Sequence, residues 1–523
     1  MPLMQPRLPS SLLILGSWAG LLVATSCVRK HFFQPDARPD SALAQPLPTS
    51  ADSVRGATAG RQYARHSRLY KALVGQHHRP IWAAAVTVPV LRLPLARPGG
   101  LTSGKVGGGF NSTSLTLNPH DGEALVLRTV DKDPIRATPK VLRGTFLVNA
   151  LRDNVSATNP YAALVVPPLA QAVGVPRATP RLYYVRPDDP AFRSDSLRLF
   201  RGQLAFLEEK FAVESGPVAR GPRTVWSSTE AFEAAFKSPA RQLNQTALLQ
   251  ARLLDGWLGD WDRHPGQWNW AVSSPSASGV RQLSPLPKDR DMVFYRLDDG
   301  LLGWLVGHLA QRHWTSFGPR YPKAANLLSS GHYLDTRGLN QLALAQFTAA
   351  AQAMQRQLPD SLIARAVHRL PPAAFALEGP ATIAALQARR TELPALAKAF
   401  YLQLARRPVV GGTALAERFE VHRYQDSTVV AVFSAQPTAA SSPSRIYQRA
   451  FFPAETKLIQ LEGLGGDDAF IIEQHGAKTS RQPRIRIFGG PGTDKLTGHS
   501  SPGIQFHEGG APAKRAYDKL PEE

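Results

Sequence analysis

The hydrophobic pattern of the chain changes character twice, and this change limits the fold more than any other feature. Before Thr229, apolar side chains alternate over short stretches such as Val86-x-Val88-x-Val90, as they do in half-buried strands. From Thr229 to about Arg406 they recur with helical spacing, and beyond Arg418 short alternating stretches return between Gly/Asp turns. The pattern predicts an α+β fold with a β-rich N-lobe, a helical C-lobe and a small all-β module.

The helical spacing is clearest over Gln245–Leu258, where apolar side chains share nearly one face. Further helices are predicted over 156–173, 339–357, 359–369, 380–391 and 393–406. Two runs, Leu115–Leu117 and Ala124–Leu127, flank a turn at Asp121-Gly122 and predict a β-hairpin. More strands are predicted at Leu182–Val185, Gln203–Leu207, Thr428–Phe433, Leu458–Leu461, Ile471–Ile472 and Ile485–Phe488. We assign the two-lobed domain to residues 61–410 (N-lobe about 61–210, C-lobe about 211–410), the β module to 411–510 and a tail to 511–523.

The N-terminal segment up to residue 60 predicts export. Arg7 precedes an apolar run that ends in small residues and Cys27, as in a secretory signal peptide. Cys27 after small residues resembles a bacterial lipobox, which implies a lipid anchor at Cys27 in the outer membrane or periplasm; an ordinary signal peptide with an incidental cysteine is the alternative. Residues 28–60 are rich in Pro, Ala, Ser and Asp without apolar periodicity, which predicts a flexible tether. Because Cys27 is the single cysteine, a disulfide within the chain and a cysteine-based zinc site are excluded.

The chain is strongly basic, with 61 Lys and Arg against 40 Asp and Glu and a formal net charge of +21. A surplus of this size favours an anionic partner, such as nucleic acid, phosphate groups or an anionic membrane. The sequence has no zinc-finger spacing, no RNP-like aromatic motif and no Lys-rich tail. We therefore expect no nucleic acid partner and favour an anionic component of the cell envelope or an outer-membrane protein.

Two clusters of carboxylates follow the clearest helix. The first lies in Gly259–Trp270 and contains Asp262; the second, further along the chain, lies in Pro287–Phe294 and contains Asp289 and Asp291. Carboxylate clusters that leave two secondary-structure elements and face each other suit metal-assisted phosphoryl transfer. In that chemistry, one carboxylate orients the attacking hydroxyl and another holds Mg²⁺ against the nucleotide phosphates.

These clusters resemble the motifs of the atypical kinases: the HipA-like toxin kinases, the spore-coat CotH kinases and the secretory-pathway casein kinase family. The resemblance rests on Gly-x-x-Asp-Arg-His at 259–264 with an amide at the fifth position after the Asp, and on a later Asp with Phe at the fifth position beyond it. It implies the catalytic-loop Asp role for Asp262, with Arg263 and His264 as structural companions.

The same resemblance implies the metal ligands. Gln267 falls where these families often place a metal-binding Asn or Glu, and Asp289 falls on their metal-binding Asp, with Asp291 as a second candidate. A neutral Gln267 is a weaker Mg²⁺ ligand than a carboxylate, which keeps a catalytically inactive pseudokinase open as an alternative.

The N-lobe assignments follow from the order of the family's parts. The loop Gly107-Gly108-Gly109 is expected to cover the phosphates through backbone N–H groups. Arg128 or Lys132, after the 124–127 strand, is expected to supply the basic phosphate contact, and a helix beginning near Asp153 takes the place of the regulatory helix. Glu208 and Glu209 fall where the hinge that contacts adenine is expected. The resemblance thus implies ATP with Mg²⁺ or Mn²⁺ between the lobes.

A second resemblance lies in the β module. Gly489–Leu496 fits the Gly-Gly-x-Gly-x-Asp-x-apolar repeat of RTX calcium-binding β-rolls, and Gly463–Phe470 is a looser copy earlier in the chain, with Asp468 in the place of Asp494. Because calcium in such rolls is shared between adjacent turns and only two copies are visible, we favour a degenerate, metal-free β-repeat over a calcium site at Asp468 and Asp494.

The order of tether, kinase-like lobes and Gly/Asp-rich module is similar to segments of large Bacteroidetes outer-membrane proteins, where they lie between a metallophosphoesterase and a BamA/TamA-type barrel. The leading hypothesis is an exported atypical kinase acting on an envelope protein, glycan or lipid. The alternatives are a pseudokinase serving as envelope scaffold or barrel accessory, and a cationic cell-surface binding module.

Overall fold

The computed structural model describes residues 31–107, 113–120, 122–210, 224–309, 316–321, 327–437, 443–476 and 482–511. It confirms the predicted α+β class: a β-rich N-lobe and a largely helical C-lobe are followed by a small all-β module. Within these residues, no helix combines the length and the hydrophobicity needed to cross a membrane.

The N-lobe is built on a five-stranded sheet in which all neighbouring strands are antiparallel, in the order β3-β4-β5-β7-β6. The strands are β3 (Leu101–Gly107), β4 (Ser114–Pro119), β5 (Leu125–Thr129), β6 (Arg181–Tyr184) and β7 (Leu204–Glu209). The predicted hairpin is confirmed as β4–β5. Sequence analysis missed β3, because its residues are mostly exposed and show no apolar alternation.

The prediction of a flexible tether is wrong for residues 31–60. Ala37 is fully buried and its N–H donates to the Gly202 carbonyl at 2.6 Å, while the Tyr184 hydroxyl donates to the buried Asp36 carboxylate at 3.0 Å. Further along, β1 (Ser53–Ala57) pairs with β2 (Val86–Pro89). The segment carries little apolar periodicity because scattered core residues, such as Ala37 and Val54, and polar groups with buried partners hold it in place together, without a continuous apolar stripe.

The N-lobe also contains four short helices: α1 (Arg68–Val74), α2 (Arg79–Trp82), α3 (Phe146–Asn154) and α4 (Val166–Ala172). The helix predicted over 156–173 is therefore wrong in its first half. Only 3-10 turns occur at Val155–Ala157 and Ala162–Leu164 before α4 begins. Prolines are tolerated in the first turn of a helix and not inside it, and α4 starts where Pro167 takes such a position.

The C-lobe joins a four-stranded sheet, in the order β8-β10-β11-β9, to eight helices among the described residues. The strands are β8 (Thr224–Ser227), β9 (Arg241–Leu243), β10 (Trp268–Val272) and β11 (Arg281–Pro287). The helices are α5 (Ser228–Lys237), α6 (Gln245–Leu258), α7 (Leu301–Leu309), α8 (His332–Gly338), α9 (Leu344–Gln357), α10 (Asp360–Val367), α11 (Pro372–Thr391) and α12 (Leu393–Ala405).

Helix α6 confirms the strongest helical prediction to the residue. Asn244 caps its N-terminus by accepting from the Ala247 N–H at 3.1 Å, and Gly259 ends it with φ +74. Helix α11 begins at Pro372, two turns before the predicted start at 380, because Pro372 occupies its first turn and Pro380 lies inside it. The strand pair β10–β11 was not predicted.

In the β module, β13, β14 and β15 lie in one sheet, and from β15 onward successive strands alternate between two sheets. One sheet has the parallel order β12-β16-β18-β20, and the other has the order β15-β14-β13-β17-β19. The strands are β12 (Val409–Gly411), β13 (Glu417–Arg423), β14 (Thr428–Pro437), β15 (Pro443–Phe451), β16 (Leu458–Glu462), β17 (Ala469–Gln474), β18 (Arg484–Phe488), β19 (Lys495–Gly498) and β20 (Ile504–His507). Leu458 pairs with Arg484 in one sheet, so the chain completes one coil between these two residues. Ala469 and Lys495, which pair in the other sheet, are separated by the same number of residues.

The aspartates of the two Gly/Asp motifs bind backbone amides of the neighbouring coil. Asp494 Oδ1 accepts from the Asp468 N–H at 3.0 Å, and Asp468 Oδ1 accepts from the Glu417 N–H at 2.8 Å. Each carboxylate packs against a glycine of its own motif, Gly463 or Gly489, where a Cβ would overlap it. The motif therefore has a structural role in stacking the coils.

Candidate functional site

The two acidic motifs meet because the strands that flank them are paired. The first motif follows α6, where the positive φ of Gly259 turns the chain, and runs into β10. The second follows β11, and Trp268 of β10 lies opposite Pro287 of β11. The Lys288 N–H donates to the Gln267 carbonyl at 2.9 Å, so the residues after β11 lie beside those that precede β10.

Arg263 ties the two motifs together from inside the protein. Its side chain is fully buried and lies 4.5 Å from the centre of the Trp268 ring. From Nη1 it donates to the carbonyl oxygens of Lys288 at 2.7 Å and Asp289 at 2.9 Å. Its backbone N–H donates to Ser330 Oγ at 2.9 Å. Arg263 thus fixes the backbone at Asp289. Through that residue it acts on the junction where Arg128 and Lys132 of the N-lobe meet Asp289 and Asp291 of the C-lobe, called the cleft below.

Arg263 belongs to a buried network of three arginines and three aspartates, most of which sequence analysis missed. The other members are Arg252, Arg290, Asp255, Asp260 and Asp335. Burial is the largest influence on the pKa of Asp255, but the three guanidinium groups around it outweigh burial and leave that pKa below its ordinary value. For Asp260, burial prevails and raises the pKa to about 6. The sequence contains one indication of this network: the charged residues Arg252 and Asp255 lie within the apolar stretch of α6. Charged groups buried in a helix need partners, which predicts further charges beside them.

On the N-lobe side, Arg128 of β5 joins the sheet to the second motif. Its Nε lies 3.0 Å from Glu208 Oε1 on the neighbouring strand β7, and its Nη1 donates to Asp289 Oδ2 at 3.2 Å. Burial would lower the pKa of Arg128, but these two carboxylates outweigh it and raise that pKa above its ordinary value. Arg128 therefore bridges the two lobes as a charged group.

Asp289 has an unusual backbone conformation, and one of its carboxylate oxygens lacks a well-formed hydrogen bond among the described residues. Its φ is +50, in the left-handed region that residues other than glycine seldom adopt and that is over-represented at functional sites. Burial raises its pKa, yet Arg128, Lys132 and Arg263 outweigh burial and hold the pKa below its ordinary value. The second oxygen, Oδ1, is buried and receives no hydrogen bond of good geometry from the described residues, although the Gln267 amide is close enough to lower the pKa further.

A second inter-lobe pair lies beside the first. Lys132 Nζ contacts the Asp291 carboxylate. Burial lowers the pKa of Lys132, against the nearby carboxylates of Asp289 and Asp262, which raise it. Lys288, which sequence analysis did not single out as a site residue, also faces this group, and its pKa is lowered to about 8 by burial first and by Arg128 second. The cleft thus collects several cations around a few carboxylates.

Asp262 and His264 lie at the edge of this group. The Asp262 side chain is 28% exposed and lies 3.9 Å from His264 Nε2, while the His264 ring is 48% exposed. His264 Nδ1 accepts from the Gly266 N–H at 3.1 Å, which starts the 3-10 turn Pro265–Gln267. His264 therefore shapes the loop, and Asp262 is the carboxylate of the first motif that solvent reaches.

The glycine loop is only partly described. Gly107 ends β3 opposite Ser114, and Ser114 lies opposite Arg128, so the loop leaves the sheet two strands from Arg128, or about 10 Å away. Gly108, Gly109 and Cys27 lie outside the described residues.

Glu209, predicted to bind the cofactor, faces away from the cleft. Side chains alternate along a strand, so Glu208 and Glu209 of β7 point to opposite faces of the sheet. Glu209 Oε2 instead accepts from the Thr179 N–H at 2.6 Å.

The cleft holds oxygen donors of the kind that a hard divalent cation takes, but among the described residues no three of its carboxylates have ligand atoms within 4.8 Å of one another. These donors are the carboxylate oxygens of Asp262, Asp289 and Asp291 and the amide oxygen of Gln267, and Mg²⁺ and Mn²⁺ prefer oxygen ligands. The buried Oδ1 of Asp289 is the donor that the described residues leave available.

Comparison with models of known protein families and with curated protein sequences finds no match. Among solved structures, the Helicobacter pylori proinflammatory kinase CtkA is similar to this chain, with 14% sequence identity and a TM-score of 0.33. The similarity covers 60% of this chain and 100% of CtkA. A TM-score this low supports no inference about the residues of the cleft.

Proposed function

We propose that the cleft between the lobes binds a nucleoside triphosphate with Mg²⁺ or Mn²⁺ and transfers its terminal phosphoryl group to a hydroxyl acceptor. The observation that supports this most is the pairing of N-lobe cations with C-lobe carboxylates across one cleft: Arg128 with Asp289, and Lys132 with Asp291. Cations that hold phosphates and carboxylates that hold a metal are the two parts that phosphoryl transfer needs.

The cations of the cleft take the phosphate oxygens. Arg128 offers a planar fork of donors, and Lys132 and Lys288 offer charges whose partial desolvation strengthens their attraction to an anion. The backbone N–H groups of the loop after Gly107 are proposed to cover the phosphates from above.

Asp289, Gln267 and Asp291 are the residues proposed to hold the divalent ion, which would supply positive charge against the negative charge that develops on the phosphate. Asp289 already has a lowered pKa and is ionised at neutral pH, as a metal ligand must be.

Asp262 is proposed to act on the acceptor. Its partly exposed carboxylate can accept a hydrogen bond from the acceptor hydroxyl and take its proton. The hydroxyl oxygen then bonds to the terminal phosphorus while the bond from that phosphorus to the bridging oxygen breaks, so the nucleoside diphosphate leaves with the electron pair. Arg263 positions the loop and takes no direct part.

Export and the nature of the acceptor belong to the same proposal. The signal-like N-terminus and Cys27 support a lipid-anchored protein of the bacterial envelope, and the net charge of +21 supports an anionic surface as its surroundings. The acceptor is then an envelope protein, glycan or lipid head group.

A second candidate function is an inactive scaffold of the same fold. The pairs Arg128–Asp289 and Lys132–Asp291 join the lobes directly, which would suit a pseudokinase whose cleft is closed. Under this alternative, the cleft serves to hold the lobes together and the envelope partner binds elsewhere.

The test is transfer of labelled terminal phosphate from ATP in the presence of Mg²⁺ or Mn²⁺, to the protein itself, to added envelope membranes or to water. We expect transfer by the unaltered protein and its loss in Asp262→Ala, with the fold preserved because the Asp262 side chain is partly exposed and lies outside the buried charge network. As a control, Asp426→Asn removes an exposed carboxylate in a turn of the β module and should leave transfer unchanged. Transfer that survives Asp262→Ala would refute the assigned role, and nucleotide binding without transfer would favour the scaffold.

A further inference from the structure

Three side chains on adjacent strands of the β module bring their ligand atoms together. His422 Nδ1 lies 3.0 Å from Glu473 Oε2, His475 Nε2 lies 3.4 Å from the same oxygen, and the two nitrogens are 3.1 Å apart. The group lies far along the chain from the acidic motifs, and its side chains are 28%, 50% and 41% exposed in sequence order.

The backbone holds these three residues in place. His422 of β13 and Glu473 of β17 are direct partners in a parallel strand pair. The His475 N–H donates to the Arg423 carbonyl at 2.8 Å, which extends the pairing past the end of β17. The ring of Tyr424 stacks on the His475 ring at 4.8 Å and 15°. The arrangement is therefore built from ladder hydrogen bonds and stacking rather than from flexible surface side chains alone.

The distances match the edges of a metal coordination tetrahedron. Zinc binds histidine nitrogen and carboxylate oxygen at about 2.0–2.2 Å, so two ligands of a tetrahedral zinc ion stand about 3.3–3.6 Å apart. The three separations here are 3.0, 3.4 and 3.1 Å, and a shift of a few tenths of an ångström would accommodate the ion. Two imidazoles and one carboxylate are a ligand set that zinc and neighbouring transition metals accept and that Mg²⁺ and Ca²⁺ do not favour.

A further carboxylate stands behind the first histidine. Glu420 Oε2 lies 3.8 Å from His422 Nε2, and Arg418 Nε holds Glu420 at 2.9 Å. A carboxylate on the far side of a ligating imidazole orients the ring and favours the tautomer whose other nitrogen faces the metal. Here that other nitrogen is Nδ1, the atom turned toward Glu473.

We propose that His422, Glu473 and His475 form a zinc site on the β module, with the fourth position open to water because the cluster lies at the surface. This proposal is independent of the function proposed for the cleft. The ion would join two coils, because one ligand comes from β13 and the other two come from β17 and the residue just beyond it. It would thereby brace the strand pair that carries the long hairpin β14–β15.

The test is Zn²⁺ titration of the full chain, purified without a histidine tag, against a chromogenic chelator. Millimolar Mg²⁺ is added to occupy oxygen-donor sites such as the cleft, because Mg²⁺ competes poorly for imidazole. We expect one equivalent of Zn²⁺ to bind, with affinity at least about tenfold weaker in His422→Ala and in His475→Ala, since even partners behind the ligands change affinity by about 10–100-fold.

Two further variants make the result specific. His507→Ala removes an exposed histidine of the same module, outside the cluster, and should leave Zn²⁺ affinity unchanged. Circular dichroism would show whether either histidine variant unfolds. Glu473→Gln keeps the size of the side chain and should weaken Zn²⁺ binding, so it tests the site even if a histidine variant does not fold. Absence of stoichiometric Zn²⁺ binding by the unaltered chain would overturn the proposal, and so would equal affinity in Glu473→Gln and in the unaltered chain.

Discussion

Replacing Arg263 by alanine should destabilise the C-lobe strongly, because this side chain neutralises buried carboxylates and anchors the backbone of the second acidic motif. It is fully buried, lies 3.3 Å from Asp255 and 3.7 Å from Asp260, and donates to two carbonyl oxygens at 2.7 and 2.9 Å. Arg263→Ala removes a donor from Asp255 and from both carbonyl oxygens, and takes a nearby positive charge from Asp260, inside the protein.

The magnitude follows from these contacts. Removing one partner of a buried ion pair costs about 3–5 kcal/mol, because an uncompensated charge stays inside the protein. We therefore expect a loss of about 4 kcal/mol in the free energy of unfolding. For a cooperative unit of about 150–250 residues, roughly 2–4 °C is lost per kcal/mol, so the melting temperature should fall by about 8–16 °C.

The assay is thermal and urea unfolding followed by circular dichroism, with two companions to Arg263→Ala. Arg281→Ala removes an arginine whose guanidinium donates to the exposed Ser273 carbonyl and to no other group in the described part of the chain, and should change stability by no more than about 0.5 kcal/mol. Adding Asp260→Asn to Arg263→Ala should recover part of the loss, because Asp260 is then a buried carboxylate with fewer guanidinium partners. A loss in Arg263→Ala no larger than in Arg281→Ala would refute the reasoning.

Three further predictions concern the β module and the cleft. Burial raises the pKa of Asp468 to about 7, so this group favours the folded state below about pH 4 and loses that contribution as the pH rises through 7. The difference in melting temperature between the unaltered protein and Asp468→Asn should therefore change between pH 4 and pH 8. A constant difference would contradict this prediction. Gly489→Ala should lower the melting temperature because its Cβ would overlap the Asp494 carboxylate, whereas Gly144→Ala, with open space around its Cα, should not. Arg128→Met should weaken ATP binding about tenfold or more in calorimetric titration, since a hydrogen bond to a charged group contributes about 1.5–3 kcal/mol, and unchanged affinity would exclude Arg128 from the phosphate site.

The elements that were predictable are those in which one periodicity extends over enough residues. Helix α6 was predicted to the residue because Leu248, Leu249, Leu253, Leu254 and Trp257 recur with helical spacing, and in the structure Asn244 and Gly259 cap its ends. The meeting of the acidic motifs was also predictable, although the strand pair β10–β11 that causes it was not. Residues 31–60 could not be assigned, because the segment is held by scattered core residues and by polar contacts, and neither leaves a periodic pattern in the sequence.

The buried charge network shows where sequence reasoning ends. Its members are spread from Arg252 to Asp335, and nothing in their spacing indicates that they meet. A charged residue in a sequence is expected at the surface, and only the folded chain shows which charges find partners inside. The different roles of Glu208 and Glu209 were equally unpredictable, because only the pairing of β7 with β5 shows which of the two side chains faces Arg128.

The measurement that tests the central claim most directly is a thermal-shift titration of the protein with ATP, with and without Mg²⁺ or Mn²⁺. Ligand at about 100 times its Kd should stabilise the fold by about 2.7 kcal/mol, which gives a readily measured rise in melting temperature. We predict a rise that requires the metal, disappears in Asp289→Asn and persists in Asp426→Asn. A rise of equal size in Asp289→Asn, or no rise with any nucleotide, would contradict a metal–nucleotide site between the lobes.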